Sequence, residues 1–158
     1  MIESSAHNRR PVLILGIGNI LLHDEGIGIY AIKELQKLNL PDYVELLDGG
    51  TSGADLLDDI SDRQKVIVID AVDADIPPGT VLRLKRDNLL PSGPKSISLH
   101  EFGLAETLIM AEHLNCAPKD VTVIAVKPKD VSPGLGLSEE INAVLPRVID
   151  SVLAEINS

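Results

Sequence analysis

The stretch PVLILGIGNILLHDEGIGIYA, from Pro11 to Ala31, decides the fold of this chain. Its first residues, Pro11–Leu15, are too few for a buried helix and are typical of a strand buried on both faces, as in a parallel sheet. Gly16 and Gly18 allow a tight exit from this strand, because glycine adopts backbone angles that a Cβ forbids. The loop that follows therefore lies at the carboxyl end of a strand, where open α/β sheets place their functional residues.

This loop carries His23, Asp24 and Glu25 and leads into a helix. Apolar residues then recur at the spacing of one helix face and must pack on the sheet. They are Ile27, Ala31, Leu35 and Leu38. The loop thus presents adjacent acidic side chains between a buried strand and its covering helix.

The rest of the chain alternates aliphatic runs with helical patterns. Strands are predicted over Tyr43–Leu47, Lys65–Ile69, Thr80–Lys85 and Val121–Val126, and helices over Ala54–Ile60, from Leu104 to before Pro118, and from Ile141 to Ile156. The strand over Thr80–Lys85 has a partly polar face and is predicted at a sheet edge, and Pro146 predicts a kink or a late start in the last helix. The pattern predicts one α/β domain over residues 1–158, a three-layer sandwich with a mainly parallel, twisted sheet of about five strands flanked by helices on both faces.

Two long irregular segments interrupt this pattern. They are Asn88–Leu99 and Pro128–Leu137, and both are rich in Pro and Gly. Long loops in compact domains are more often functional than idle. We expect these two to form walls that select a substrate.

The composition restricts the class of partner. The 158 residues include 14 basic and 24 acidic side chains, for a formal net charge of −10, which disfavours nucleic acid and anionic membranes. Aromatic residues make up 2% of the chain, too few for a base-stacking platform. A cationic segment or a metal ion is a better electrostatic match. The single cysteine and the lack of a secretion signal or of an apolar run near ~18 residues predict a cytoplasmic protein.

Part of the glycine turn matches the dinucleotide-binding fingerprint. The third glycine position is Leu21, however, and the helix begins about one turn too late for its amino end to hold a pyrophosphate. A nucleotide-dependent oxidoreductase built on Gly16, Gly18 and Asp48 is therefore the weaker enzyme alternative. Nucleophile chemistry has less support, because Gly-x-Ser-x-Gly is absent and Cys116 has no helix start or glycine elbow beside it.

Isolated polar residues follow three of the predicted elements. Glu25 lies in the loop after the first strand, Asp70 closes the third, and His100 ends the loop after the fourth. In a parallel sheet these three can converge on one edge, and two carboxylates with one imidazole suit a divalent transition ion with open positions. Each also has an ordinary structural interpretation, as a solvated acid, a turn cap or a hydrogen-bonded histidine. Rival oxygen donors, which spacing cannot rank, are Asp24, Asp48, Asp73 and Asp75.

Four motifs, in this order, closely resemble those of the hydrogenase maturation endopeptidases. They are GIGNILLHDEGIG, VELLDGGTSG, VIVIDAVDA with the following PPGT, and SLHEFGLAE. The similarity extends from Pro11 to about Ile156, and residues 1–10, which have no assigned counterpart, are predicted to form a flexible tail. Members of the family remove a carboxyl-terminal extension from the large subunit of nickel-iron hydrogenase once nickel is in place.

The resemblance implies that Glu25, Asp70 and His100 are the nickel-binding and catalytic residues, with Asp48 near the site. It also implies that the partner is the hydrogenase large-subunit precursor and that this substrate supplies the Ni²⁺. Our hypothesis is that the three side chains complete the coordination of nickel already bound by the precursor's cysteines, which positions the scissile peptide. A nickel-sensing assembly chaperone with the same ligands and no hydrolysis is the non-enzyme alternative.

Overall fold

The computed structural model of the chain describes residues 9–50, 56–89, 98–99 and 103–158. The strands are β1 (Val12–Ile17), β2 (Val44–Gly50), β3 (Lys65–Asp73), β4 (Val81–Lys85), β5 (Ser98–Leu99) and β6 (Asp120–Val126). The α-helices are α1 (Ile27–Leu35), α2 (Leu56–Ile60), α3 (Arg86–Leu89), α4 (Leu104–His113) and α5 (Glu139–Ile156). A 3-10 turn over His23–Gly26 precedes α1.

The strands form a mainly parallel sheet in the order β2-β1-β3-β6-β4. β1 pairs in parallel with β2 and β3, and β3 pairs in parallel with β6. β4 is antiparallel to β6 at one end of the order, and the short β5 is antiparallel to β3. The predicted sheet type and the edge position of β4 are confirmed, and the carboxyl ends of β1, β2, β3 and β6 meet at one edge.

Helices cover both faces of the sheet. One buried cluster joins α1 and α5 to Ile14, Ile67 and Ile124, and a second joins α2, α3 and α4 to Leu13 and Val68. β1 is buried along its whole length and β3 up to its last residue. Burial on both faces explains why these strands are continuous aliphatic runs without polar alternation. The three-layer arrangement is confirmed.

β3 is longer than predicted. The sequence predicts that the strand ends at Ile69, but its parallel ladder with β6 continues through Asp70 opposite Ala125 and Ala71 opposite Val126. Asp70 therefore lies inside a buried strand and not in a turn after it. A strand can continue through an acidic residue when the backbone of that residue keeps its pairing with the neighbouring strand, and the sequence alone does not show this pairing.

The last helix also differs at its start. α5 begins at Glu139, where the Ser138 side chain accepts a hydrogen bond from the Ile141 amide at 3.4 Å. Of the two alternatives that Pro146 predicts, the late start is therefore wrong, and the kink stays a prediction. The helix runs through Pro146, which is exposed, and water can hydrate the carbonyl group of Asn142 that loses its helical partner there. Within the described ranges, no helix combines the length and hydrophobicity needed to cross a bilayer.

The predicted tail lies mostly outside the described residues, which begin at Arg9. The Arg9 guanidinium donates to the carbonyl oxygens of Asp58 and Ser61. The Arg10 guanidinium donates to the carbonyl oxygen of Val44 at 2.9 Å. These two residues are thus held against the amino-terminal side of the sheet.

Candidate active site

A close glycine contact brings the 3-10 turn to the carboxyl ends of β1 and β3. Gly28 lies in the first turn of α1, and a Cβ at this position would overlap the carbonyl oxygens of Ile17 and Ile69. Glycine therefore lets the helix backbone rest directly on both strands. Because Glu25 is three residues before Gly28 and Asp70 directly follows Ile69, this contact places the turn beside Asp70.

Asp70 is a buried acid at this edge, with 3% of its surface exposed. Its Oδ1 accepts a hydrogen bond from the Ala71 amide at 2.8 Å. Burial raises the pKa of Asp70 well above its usual 3.8, the Ala71 hydrogen bond lowers that pKa, and the negative charge of Glu25 raises it further. The effect of Glu25 means that the two carboxyl groups are electrostatic neighbours.

Of the three predicted site residues, the structure brings Glu25 and Asp70 together. No group of three His, Cys, Asp or Glu side chains that could hold a metal ion occurs among the described residues, and His100 lies outside them. The chain reaches residue 100 from Leu99, which pairs with Val72, two residues beyond Asp70. The metal role of Glu25, Asp70 and His100 stays a prediction.

The donor set fits a divalent cation on chemical grounds. A buried carboxyl group beside a second acid is costly to ionise, since burial and like charge both oppose the negative form. A cation bound between the two would remove both costs, and carboxylate oxygen is an ordinary ligand of divalent transition metals. The pair is therefore better suited to a cationic guest than to an anionic one.

Asp24 differs from its neighbour Glu25, although the two are adjacent acids. The Asp24 side chain is buried, and its Oδ2 accepts hydrogen bonds from the amides of Lys129 at 3.0 Å and Asp130 at 2.9 Å and from the Ser138 hydroxyl at 2.8 Å. Its Oδ1 accepts from the Ser138 amide at 2.7 Å. These four bonds occupy both oxygens, so the structure does not support Asp24 as a rival metal ligand. Sequence reasoning missed this role, because the donors lie more than a hundred residues away.

Asp48 is exposed near the end of β2, and its Oδ1 accepts a hydrogen bond from the Gly50 amide at 2.9 Å. It lines a pocket of about 340 Å³ together with apolar residues of the loop after β1, among them Ile20 and Leu21, and with Ile29 of α1. Asp48 thus lies at the same edge of the sheet as Glu25. Its hydrogen bond joins two residues in the last part of β2.

The glycine turn does not have the geometry of a dinucleotide site. Gly18 has φ +150°, and a Cβ there would overlap the carbonyl oxygen of Glu25. Its close approach is therefore to the 3-10 turn of the chain itself. The first helix begins only at Ile27, so its amino end does not follow the glycines as a pyrophosphate site requires.

The fold and site define an α/β protein with paired acids at the carboxyl edge of a parallel sheet. A family model described as hydrogenase maturation protease matches residues 29–155. The hydrogenase 2 maturation protease of Escherichia coli is 39% identical over 147 residues, covering 92% of this chain and 90% of the relative. The chain therefore belongs to the hydrogenase maturation protease family.

Solved structures agree with this assignment. The hydrogenase maturating endopeptidase HybD from E. coli matches with a TM-score of 0.81 and 35% identity, over 92% of this chain and 91% of that chain. A hydrogenase 2 maturation peptidase from a Thaumarchaeota archaeon matches with a TM-score of 0.72 and 33% identity, over 92% and 97%. The chain is thus an endopeptidase of this family by sequence and by fold.

Proposed function

We propose that this endopeptidase removes the carboxyl-terminal extension of the large-subunit precursor of a nickel-iron hydrogenase after nickel has been inserted. Membership of the maturation protease family supports the reaction class and the kind of partner. The observation that carries the nickel part is the buried carboxyl group of Asp70 beside Glu25. We place the reaction in the cytoplasm because of the single cysteine and the composition of the chain.

In this proposal the metal arrives with the substrate. Glu25, Asp70 and His100 complete the coordination of a nickel ion that the precursor already binds. The cation stabilises the ionised form of Asp70, which burial disfavours in the free enzyme. An ion held there can polarise the scissile carbonyl group or lower the pKa of an attacking water.

Metal recognition would also select the substrate. A precursor anchored at its metal holds the scissile peptide near the site, which turns a bimolecular encounter into a positioned one. A precursor without nickel lacks this anchor and should be released uncut. Cleavage would then report that metal insertion is complete.

The test is cleavage of nickel-loaded and nickel-free precursor, followed by electrophoresis, with the wild type and His100→Ala. We expect the wild type to shorten only the loaded precursor and His100→Ala to shorten neither. His113→Ala is the matched control, because His113 is exposed on α4 with its Nδ1 2.9 Å from the Ile109 carbonyl oxygen, and it should cleave like the wild type.

Three outcomes would count against the proposal. Equal processing of both precursors would exclude nickel recognition, and full activity of His100→Ala would remove His100 from the site. A precursor that binds but is never shortened would favour the assembly chaperone without hydrolysis.

A further inference from the structure

Residues 129–138, here called the clasp loop, are fastened to the segment that carries Glu25. Besides the four bonds to the Asp24 carboxylate, the contacts are largely made by backbone atoms. The amides of His23 and Asp24 donate to the carbonyl oxygens of Gly134 and Asp130, the Gly134 amide donates to the Leu21 carbonyl oxygen, and the Gly136 amide donates to the Tyr30 hydroxyl, all at 2.8 to 3.0 Å. His23 Nδ1 lies 2.9 Å from the Gly136 carbonyl oxygen.

The clasp loop is also an accessible surface beside the site. Val131 and Leu135 are 46% and 69% exposed, and Leu21, to which the loop is hydrogen-bonded, is 61% exposed. Exposed aliphatic side chains of this size are available for contact with a peptide. A substrate that reaches Glu25 would therefore pass this loop.

Asp24 is the central group of the attachment. Its side chain is 1% exposed, and both of its oxygens accept bonds from the clasp loop. Hydrogen bonds to an ionised acceptor are roughly twice as strong as neutral ones. Three of the four donors are backbone amides, which can only donate hydrogen bonds. Both side-chain oxygens of Asp24 must therefore act as acceptors.

The same residue fixes the backbone of Glu25. Asp24 and Glu25 are consecutive in the four-residue 3-10 turn. On the other side, the Glu25 amide donates to the Leu22 carbonyl oxygen at 3.1 Å and its carbonyl oxygen accepts from the Asn19 amide at 3.2 Å. A change in how the clasp loop is seated would therefore move Glu25 relative to Asp70.

We infer that Asp24 is a positioning residue of the peptidase, which sets the clasp loop and Glu25 in one fixed relation at the site. The inference rests on the proposed function, since it requires Glu25 to engage the substrate's metal. It assigns different roles to two adjacent acids: Glu25 contacts the metal, and Asp24 holds Glu25 and the clasp loop in place.

The test uses Asp24→Asn, which keeps the shape of the side chain but turns an NH₂ toward at least one backbone amide. Removing the support of a metal ligand typically costs about 10- to 100-fold in affinity or activity. Cd²⁺ serves as a divalent probe of the proposed metal site in the free enzyme. We expect a folded protein whose Cd²⁺ affinity by calorimetry falls by about 10-fold and whose kcat on nickel-loaded precursor falls by about 10- to 100-fold, while KM rises by no more than the loss of metal affinity.

Glu155→Gln is the matched control for loss of a buried, hydrogen-bonded carboxylate. Glu155 is 4% exposed and accepts bonds from Arg83 and Thr122 at the amino end of the sheet. We expect this variant to lose thermal stability but to keep the wild-type kcat and Cd²⁺ affinity. Equal losses of kcat in both variants would show a general effect of destabilisation and would overturn the inference.

Glu25→Gln separates failure of the inference from failure of the proposed function. An inactive Glu25→Gln with a fully active Asp24→Asn overturns the positioning role alone. A fully active Glu25→Gln overturns the proposed site and the inference with it. If Asp24→Asn does not fold, Ser138→Ala, which removes one donor, should lower kcat, whereas Ser138→Thr, which keeps the hydroxyl, should not; equal kcat values in this pair would overturn the inference.

Discussion

Two buried carboxyl groups at opposite ends of the sheet have pKa values that are shifted in opposite directions. Asp70, 3% exposed at the carboxyl edge, has its pKa raised by burial and by the charge of Glu25. Glu155, 4% exposed near the amino edge, has its pKa lowered to about 2, chiefly by hydrogen bonds from Arg83, although burial opposes this shift. Similar exposure thus accompanies opposite pKa shifts, because burial is the largest influence on Asp70 and hydrogen bonds from Arg83 are the largest influence on Glu155.

The amino-edge network provides its own counter-charges. Arg83 donates to both oxygens of Glu155 at 2.7 and 2.9 Å, and the Thr122 hydroxyl donates at 2.9 Å. Lys65 donates to the carbonyl oxygens of Glu155 and Ser158 at 2.7 Å and thereby fastens the end of α5. At the carboxyl edge, the hydrogen bond that the Asp70 carboxyl group accepts comes from a neutral backbone amide, that of Ala71. The charge of Glu155 is thus compensated within the fold, whereas the cation that we propose for Asp70 would come with the substrate.

The largest effect is expected for Asp70→Asn. We expect precursor cleavage to fall by about 10²- to 10⁴-fold, as for loss of a group at the reacting centre. The free energy of unfolding should stay constant or rise, since an amide avoids the cost of burying a charge. Cleavage kinetics and urea unfolding measure the two effects. A variant that loses stability but keeps its activity would assign Asp70 to the fold and contradict the comparison.

The reverse pattern is expected for Glu155→Gln. Removing the charge leaves Arg83 without its counter-ion, which should lower the free energy of unfolding by about 2–3 kcal/mol while cleavage below the melting range is unchanged. Glu34→Gln is the surface control, because Glu34 pairs with Lys37 at 2.8 Å between exposed side chains, and it should cost less than about 0.5 kcal/mol. Equal costs in the two variants would show that the pair of buried Glu155 with half-exposed Arg83 contributes no more than a surface pair.

The pH dependence of stability should have opposite signs at the two edges. Because the folded pKa of Glu155 is about 2 against an ordinary 4.5, its stabilisation is present above pH 4.5 and is lost as pH falls through this window toward 2. The stability difference between wild type and Glu155→Gln should therefore shrink by about 2 kcal/mol from pH 7 to pH 3. A constant difference over this range would mean that the Glu155 pKa is not lowered by folding.

The contribution of Asp70 to the pH dependence of stability should have the opposite sign to that of Glu155. Its folded pKa is raised above 3.8, so folding favours the protonated form, and the stability associated with this group is lost as pH rises above 3.8. Thermal unfolding of Asp70→Asn at pH 3 and pH 7 isolates the effect. We expect the variant to gain stability relative to the wild type at the higher pH, and no relative gain would contradict the buried, unfavourable charge.

The strands of the sheet could be predicted because burial on both faces requires a continuous run of aliphatic residues in the sequence. β1 and β3 are continuous aliphatic runs, and α1 begins at Ile27 as its apolar spacing indicates. The end of β3 could not be predicted, because an acid inside a buried strand looks like an acid after it. Only the pairing of Asp70 with Ala125 distinguishes the two.

The sequence predicts Glu25 and Asp70 as site residues, a role that stays a prediction, but it does not predict the different surroundings of Asp24 and Glu25. Asp24 and Glu25 are adjacent and chemically alike, and their difference depends on donors contributed by the clasp loop near the other end of the chain. Hydrogen bonds of such long sequence separation leave no local pattern. The third predicted ligand, His100, lies outside the described residues and stays a prediction.

The basic residues of β4 also have a consequence for the behaviour of the protein at high concentration. β4 is the last strand in the sheet order, and the side chains of Arg83 and Lys85 are 54% and 39% exposed. Charged side chains on a terminal strand discourage edge-to-edge association with a second molecule. Arg83 is therefore the counter-ion of Glu155, which fastens α5, and its positive charge opposes pairing of β4 with the same strand of a second molecule.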